Sequence, residues 1–298
     1  MRQLFLILLL SAFAACANPQ QSKKKSINKI KKTLNTKIKL SPVDSTELAN
    51  FKKTAEKTYL SKKSIPEIQI IIANRFLGKP YVGGTLDIND TEQLVINLHE
   101  FDCVTFSETV SALTLCVKSG EYTNEKYFKN LQTLRYRNGK INGYLSRLHY
   151  FTEWLLNNQA KGLIRIVSNN FGDKDFDSEV NFMSQHPKYY KQLSDSATLA
   201  RIKNIEKQIS SARLKMVSEE NLKNVEDSIK DGDLIAIVTT KKGMDIAHVG
   251  IAEHYNGRLH FIHASSAKKK VVLSDKPLSD YIKSIKTDSG VLVARINP

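Results

Sequence analysis

The chain has 298 residues, 41% of them hydrophobic and 25% charged, a composition that supports a substantial core and excludes a mostly disordered chain. A net charge of +15 would suit a nucleic-acid binder, but no basic and aromatic recognition motif accompanies it. Part of the excess is local: Lys23 to Lys39 holds eight lysines and no acid, the pattern of a solvated linker that an anionic surface attracts.

Met1-Arg2 is followed by an apolar run from Leu4 to Ala15. The run is too short to span a bilayer and matches the hydrophobic region of a secretory signal. Two cuts stay open. Phe13-Ala14-Ala15-Cys16 resembles a lipoprotein box that would leave a lipidated Cys16, and Ala15-Cys16-Ala17 is an A-x-A site that would release a soluble protein. The expectation is therefore a signal over 1–16, a basic linker over 17–44 and one catalytic body over 45–298, exported and anchored at a membrane surface if Cys16 is acylated.

From Ser45 to Leu60 the apolar residues Leu48, Phe51, Ala55 and Tyr59 fall at helical spacing. Ser64-Ile65-Pro66-Glu67 reads as a capping box with an early proline, opening a helix that Gly78 ends. Pro80-Tyr81-Val82-Gly83-Gly84 is loop chemistry, and Leu94–Leu98 reads as a short strand. Asp102 is a good N-cap for a helix that begins at Cys103 and stops at Gly120. Residues 125–160 are aromatic-rich and helical, and 170–230 are polar and helical in tone, an expected helical insertion. After Asp233 the period changes to strands over 233–239, 246–254, 258–264, 269–273 and 290–296. Helices first and an antiparallel sheet afterwards define the α+β class.

Three cysteines are present. Cys103 and Cys116 stand on one expected helix, ~19 Å apart at the helical rise, too far for a disulfide, which needs Cα atoms within roughly 7 Å. An unpaired thiol in an exported protein is either buried or chemically employed. Cys116 lies mid-helix among apolar residues and reads as packing. Cys103 starts its helix, where unpaired N–H groups favour a thiolate, although the Asp102 charge opposes this unless its carboxylate is engaged elsewhere.

The base comes from a hairpin. Asn256-Gly257 is the preferred two-residue turn between a strand that ends at Tyr255 and one that begins at Arg258. That register pairs Tyr255 with Arg258, places His263 opposite Gly250 and His248 opposite Ser265, and sets His248 and His263 on one face as diagonal neighbours. His248 would take the thiol proton and His263 would orient it. His254 and His260 read as surface residues. Zinc held by Cys103, His248 and His263 is the alternative, but no close-spaced ligand pair accompanies them, so neither a metal nor another cofactor is expected.

Together, Pro80-Tyr81-Val82-Gly83-Gly84, Phe101-Asp102-Cys103, Ala247-His248-Val249-Gly250 and His263 resemble the NlpC-type papain-like superfamily of cell-wall hydrolases. Val104 departs from the Ser or Gly usual after that cysteine. Arg135–Gly139, Gly143–Tyr150, His186-Pro187, Asp231-Gly232-Asp233 and His263-Ala264-Ser265-Ser266 resemble its N-acetylmuramoyl-L-alanine amidase-like branch, common in Bacteroidetes. The resemblance implies a papain-like fold and cleavage of the muramoyl–alanine amide in peptidoglycan fragments, anhydro forms among them. It places Cys103, His248 and His263 in catalysis; from their own chemistry Arg147, able to pair with a peptide carboxylate, and Tyr81, in a glycine loop, are the candidate substrate contacts, with Asp102 and Ser265 beside the catalytic residues. An endopeptidase cutting between D-glutamate and a diamino acid, or a non-enzymatic wall-binding lipoprotein, are the competing readings.

Overall fold

The computed structural model describes residues 38 and 40–297. The expected signal, the lipidation site Cys16 and nearly all of the lysine-rich stretch lie outside the described residues. The first helix, α1 (Pro42–Lys57), starts earlier than its pattern suggests: Ser41 caps it, and Asp44 is buried, accepting from the Leu98 N–H at 2.7 Å and meeting His99 Nδ1 at 2.9 Å. Asp44 therefore belongs to the folded body and not to the linker.

The capping box at Ser64 forms as read and opens α2 (Ile65–Arg75). The stretch Leu94–Leu98 is not a strand; it runs as irregular chain whose carbonyls and N–H groups are met by side chains, Asp44 at Leu98 and Arg135 at Val95. α3 (Cys103–Ser119) is capped by Asp102 and ends on Gly120 at φ 67°, a left-handed turn that costs glycine least. It packs against α4 (Asn124–Arg135), and α5 (Phe151–Ala160) follows.

The sheet is antiparallel throughout and has eight strands. Its later members are β4 (Leu234–Thr239), β5 (Ile246–Tyr255), β6 (Arg258–Ser265), β7 (Lys270–Leu273) and β8 (Asp288–Ile296), close to the expected bounds. Three more strands were hidden in stretches read as helical or unassigned: β1 (Ile164–Ile166), β2 (Lys174–Asp175) and β3 (Lys215–Ser218). The order is β2-β3-β8-β4-β5-β6-β7, with β1 also on β8. The 170–230 segment is thus not a purely helical insertion. It contributes α6 (Phe182–Gln185) and α7 (Ser196–Ser210), then returns to the sheet through β3. Four residues suffice for β3 because β8 already supplies a template, so alternation had too little length to show.

One row of each central strand enters a common core: Ile235 and Ile237, Leu259 and Phe261, Val291 and Val293, closed by Leu278 and Ile282 of α8 (Leu278–Lys283). Ile251 and Ile262, which face the other way, are also fully buried. α3 packs against β5 and β6, and α8 against β6 and β8. Both sheet faces are therefore covered, and the hairpin that carries two histidines is held among helices.

The hairpin register is the expected one, from Tyr255–Arg258 to Ile251–Ile262. The hydrogen-bonded ladder ends there, before Gly250 and His263, so His248 and Ser265 do not pair. On the opposite side, β5 carries a bulge: pairing jumps from Ile237–His248 to Val238–Ile246 and leaves Ala247 as the extra residue. A bulge re-aims the side chains beside it. A Cβ added at Gly250 would lie 2.7 Å from the Ile262 carbonyl oxygen, 2.7 Å from Phe261 Cδ2 and 3.1 Å from His263 Cβ. Gly250→Ala is therefore expected to lower stability by about 1–3 kcal/mol and to disturb the His263 ring. Urea unfolding measures the first, and the imidazole NMR shifts of His248 and His263 measure the second.

Candidate functional site

A cavity of about 340 Å³ is lined by the first residues of α3, the start of β5 and the Tyr144–Phe151 stretch. Cys103, Asp102, His248 and Arg147, four of the residues singled out from sequence, share its wall.

Asp102 spends its carboxylate on the helix start. Its Oδ1 accepts from the Thr105 N–H at 2.7 Å and from Thr105 Oγ1 at 2.9 Å, while the Asp102 N–H donates to Thr105 Oγ1 at 2.9 Å. The cap leaves Cys103 as the first helical residue. Burial pushes the Cys103 thiol up to about 12, with the Asp102 charge adding to it; hydrogen bonds from the N–H groups of Val249, Cys103 and Val104 work the other way. The helix start alone therefore does not make a resting thiolate, because desolvation outweighs it. The Val249 contact brings the sulfur to the residue that follows His248.

His248 Nε2 and His263 Nδ1 are 2.6 Å apart, with the rings at 89° to one another. Burial pushes His248 down to about 4, and burial, with His248 adding to it, pushes His263 down to about 3. The His263 ring is clamped: Phe261 stacks on it at 4.3 Å between centroids, and Tyr281 of α8 meets it edge-on at 5.7 Å. Burial pushes the Tyr281 hydroxyl up, with Asp288 and the nearby Cys103 adding to it. Sequence pattern did not single out Tyr281, since α8 is six residues long and shows no capping side chain.

Tyr81 sits where a parallel bridge to Phe101 draws the loop to the start of α3, with its hydroxyl group pushed up by burial and by the neighbouring Cys103 and Asp102. Arg147 is buried against Asp87, with Glu92 Oε1 3.4 Å from its Nε and the Tyr144 ring 5.3 Å from its Cζ. Ser265 is placed differently from the expectation. It is not among the cavity residues; its Oγ accepts from the Lys268 N–H at 3.2 Å and closes the turn between β6 and β7. His260 is buried rather than on the surface, its Nδ1 2.9 Å from the Ser274 carbonyl oxygen. His254 is half-buried and meets Asp231 at 2.7 Å. Cys116 is buried and unbridged, its sulfur 3.3 Å from Asn130 Nδ2. Among the described residues no group of three or more His, Cys, Asp or Glu is arranged to hold a metal ion.

Behind the helix start lies a buried pair that sequence reading missed. Glu108 Oε2 accepts from Arg135 Nε at 2.7 Å and Glu108 Oε1 accepts from Trp154 Nε1 at 3.1 Å, tying α3 to α4 and α5. Glu108 sits six residues beyond the cap on a helix whose other buried positions are apolar or small, and a lone acid at such a position was the available signal.

A family model described as AmiA-like, N-acetylmuramoyl-L-alanine amidase-like, matches residues 71–291. The chain belongs to this amidase-like family. A crystal structure of an N-acetylmuramoyl-L-alanine amidase from Bacteroides uniformis is 37% identical, with a TM-score of 0.75 over 78% of this chain and 99% of that one. A Bacteroides fragilis protein described provisionally as a xylanase is 38% identical, with a TM-score of 0.73 over 76% of this chain and 100% of that one. The Legionella pneumophila protein LPG0564 shares the fold, at 22% identity and a TM-score of 0.66 over 85% of this chain and 95% of that one. No curated relative matches the sequence. The cavity described above lies within the stretch that the amidase-like family model covers.

Three imidazoles whose burial favours the neutral form predict that the folded chain loses stability in acid. His149, His248 and His263 are held at about 3, 4 and 3, below the ordinary 6.5. A group whose basicity is depressed by folding binds protons more readily unfolded, so stability is full above pH ~6.5 and falls as the pH drops towards 4. The midpoint of thermal unfolding should therefore decline steadily from pH 7 to pH 4. Replacing His149 with Gln should flatten that slope; an unchanged slope would show that His149 does not contribute to it.

Proposed function

We propose that the chain is a cysteine amidase of papain-like design that hydrolyses the bond between N-acetylmuramic acid and L-alanine in peptidoglycan fragments. The observation that carries this reading is the 2.6 Å contact between His248 Nε2 and His263 Nδ1 on the strand pair beside Cys103. Occupation of Nε2 leaves His248 Nδ1 for the thiol. If Nε2–H donates to His263 Nδ1, then Nδ1 of His248 carries the lone pair that a base needs.

In this scheme His248 takes the Cys103 proton as the sulfur attacks the lactyl carbonyl of the muramic acid. The imidazolium then passes its proton to the departing alanine nitrogen, and the muramyl group stays on sulfur as a thioester. Water, activated by His248, releases the muramyl acid and restores the thiol. The positive charge that forms on His248 is shared with His263 through their hydrogen bond, which the Phe261 and Tyr281 rings hold in place. Backbone N–H groups at the start of α3 serve the developing oxyanion. In this reading Tyr81, whose hydroxyl is near Cys103 and Asp102, and Arg147, in the cavity wall, would contact the substrate.

The xylanase description of one relative finds no support in the carboxylates of the cavity wall. Glycoside hydrolysis needs two acids free to exchange protons across a cleft. Here Asp102 caps α3, Glu108 is held by Arg135 and Trp154, Asp87 pairs with Arg147, and Asp245 accepts from the Thr152 N–H. We also propose export through the N-terminal apolar run, with Cys16 lipidated; mass analysis of the mature N-terminus decides between an acylated Cys16 and a cut at Ala17.

N-acetylmuramoyl peptides incubated with the protein should give the free sugar acid and a peptide that begins with alanine, both visible by mass spectrometry. A sugar that retains a dipeptide would mean endopeptidase action instead. Cys103→Ala should remove turnover by ~10⁴-fold or more while leaving the circular-dichroism spectrum intact. His263→Asn, which keeps a hydrogen-bonding partner for His248, should retain more activity than His263→Leu.

A further inference from the structure

Arg147 carries two carboxylates of unlike character. Glu92 is buried and also accepts from Tyr136 Oη at 2.8 Å, so it is fixed to the interior. Asp87 has a side chain 54% exposed and stands on a loop whose next residue, Ile88, is 75% exposed. Three residues on, that loop is tied by an ion pair of Asp90 with Lys191, both largely in water, a contact of the weak kind. Arg147 itself cannot follow a moving partner. Its backbone bridges to Tyr136, and the Leu148 N–H next to it donates to the Arg135 carbonyl at 3.0 Å. Although the guanidinium is buried, its Nε makes no hydrogen bond; Glu92 Oε1, 3.4 Å away, already serves Tyr136.

We propose that Asp87 is an internal stand-in for a carboxylate of the substrate peptide, and that substrate binding displaces it from Arg147. This rests on the amidase reading and adds the chemical class that the pocket selects: muramoyl peptides with a free carboxylate beyond the alanine. The exchange keeps the charge around Arg147 constant. One carboxylate leaves for water, where it recovers its hydration, and another enters from the substrate. Burial works against the guanidinium charge, yet Glu92 and Asp87 outweigh it and hold Arg147 firmly protonated, so the position presents a permanent cation. Such a planar donor set takes a carboxylate in two-point fashion, a geometry that a lysine cannot reproduce.

The test compares two probes in steady-state kinetics: N-acetylmuramoyl-L-alanyl-D-glutamate with both carboxylates free, and the same compound with both converted to amides. The acid form should be preferred in kcat/KM by on the order of tenfold, as a charge-assisted hydrogen bond implies. Arg147→Lys should bring that preference close to unity, mainly by raising KM for the acid form. Asp87→Ala, on an exposed loop, should raise the preference further by removing the competitor. Should Arg147→Lys fail to fold, Asp87→Ala decides alone. A preference unmoved by Asp87→Ala, or an Arg147→Lys loss equal for both probes, would overturn the proposal. Sugar acid would still be released in either case. Failure of the wild-type protein to release any sugar acid would instead count against the amidase reading.

Discussion

Close approach of β5 and β6 at Gly250 is the constraint on which the site depends. The missing side chain lets the Ile262 carbonyl, the Phe261 ring and His263 crowd against β5, and that crowding brings His263 Nδ1 within 2.6 Å of His248 Nε2. The β5–β6 ladder stops one pair earlier, so the two histidines meet where β5 and β6 are not paired with each other, His248 being registered with Ile237 of β4 and His263 with Val272 of β7. The bulge at Ala247 acts from the other side of β5. It ends the regular pairing with β4 directly before His248, where the chain enters the cavity wall. Together the bulge and the open β5–β6 pairing leave the His248 ring in the cavity wall, with His263 in contact behind it.

The hairpin was legible because its turn is chemically specific. Asn256-Gly257 permits the left-handed backbone at both central positions, φ 51° and 75°, and a two-residue loop leaves no freedom in register. From that register the shared face of His248 and His263 followed. The helix at Cys103 was legible for a similar reason, since both of its ends carry capping residues, Asp102 and Gly120. The capping box at Ser64 belongs to the same class of local and directional signals.

What stayed hidden depends on partners distant in sequence. β1, β2 and β3 have three, two and four residues, and their identity as strands comes from β8 and from each other rather than from their own pattern. His260 looked like a residue of the hairpin's outer part, but β7 and the turn after it wrap over it and supply the Ser274 carbonyl. Ser265 shares a strand face with His263, two residues away, but the β6–β7 turn takes its hydroxyl, which accepts from the Lys268 N–H, and it does not line the cavity. Asp87 and Glu92 carried no signal at all. They lie in a loop without period, and only the fold reveals that Arg147 reaches back to them.

The electrostatics of the site follow from burial more than from charge. Cys103 lies at a helix start, which favours a thiolate, yet its thiol is pushed up to about 12; His248, which would gain from a neighbouring anion, is pushed down to about 4. Both displacements favour the uncharged pair, with the proton on sulfur and the imidazole neutral. In the proposed reaction charge separation would coincide with attack, when the N–H groups of α3 and Val249, together with His263, could all bear on the developing charges. The same desolvation that holds the thiol unreactive at rest strengthens each of those interactions once charge appears. A permanent charge in the same wall must then be kept in balance, and at Arg147 the balance is struck by one interior carboxylate and one that reaches in from the surface. The pocket is thus neutral where bonds would change and charged, with compensation, where a substrate would be held.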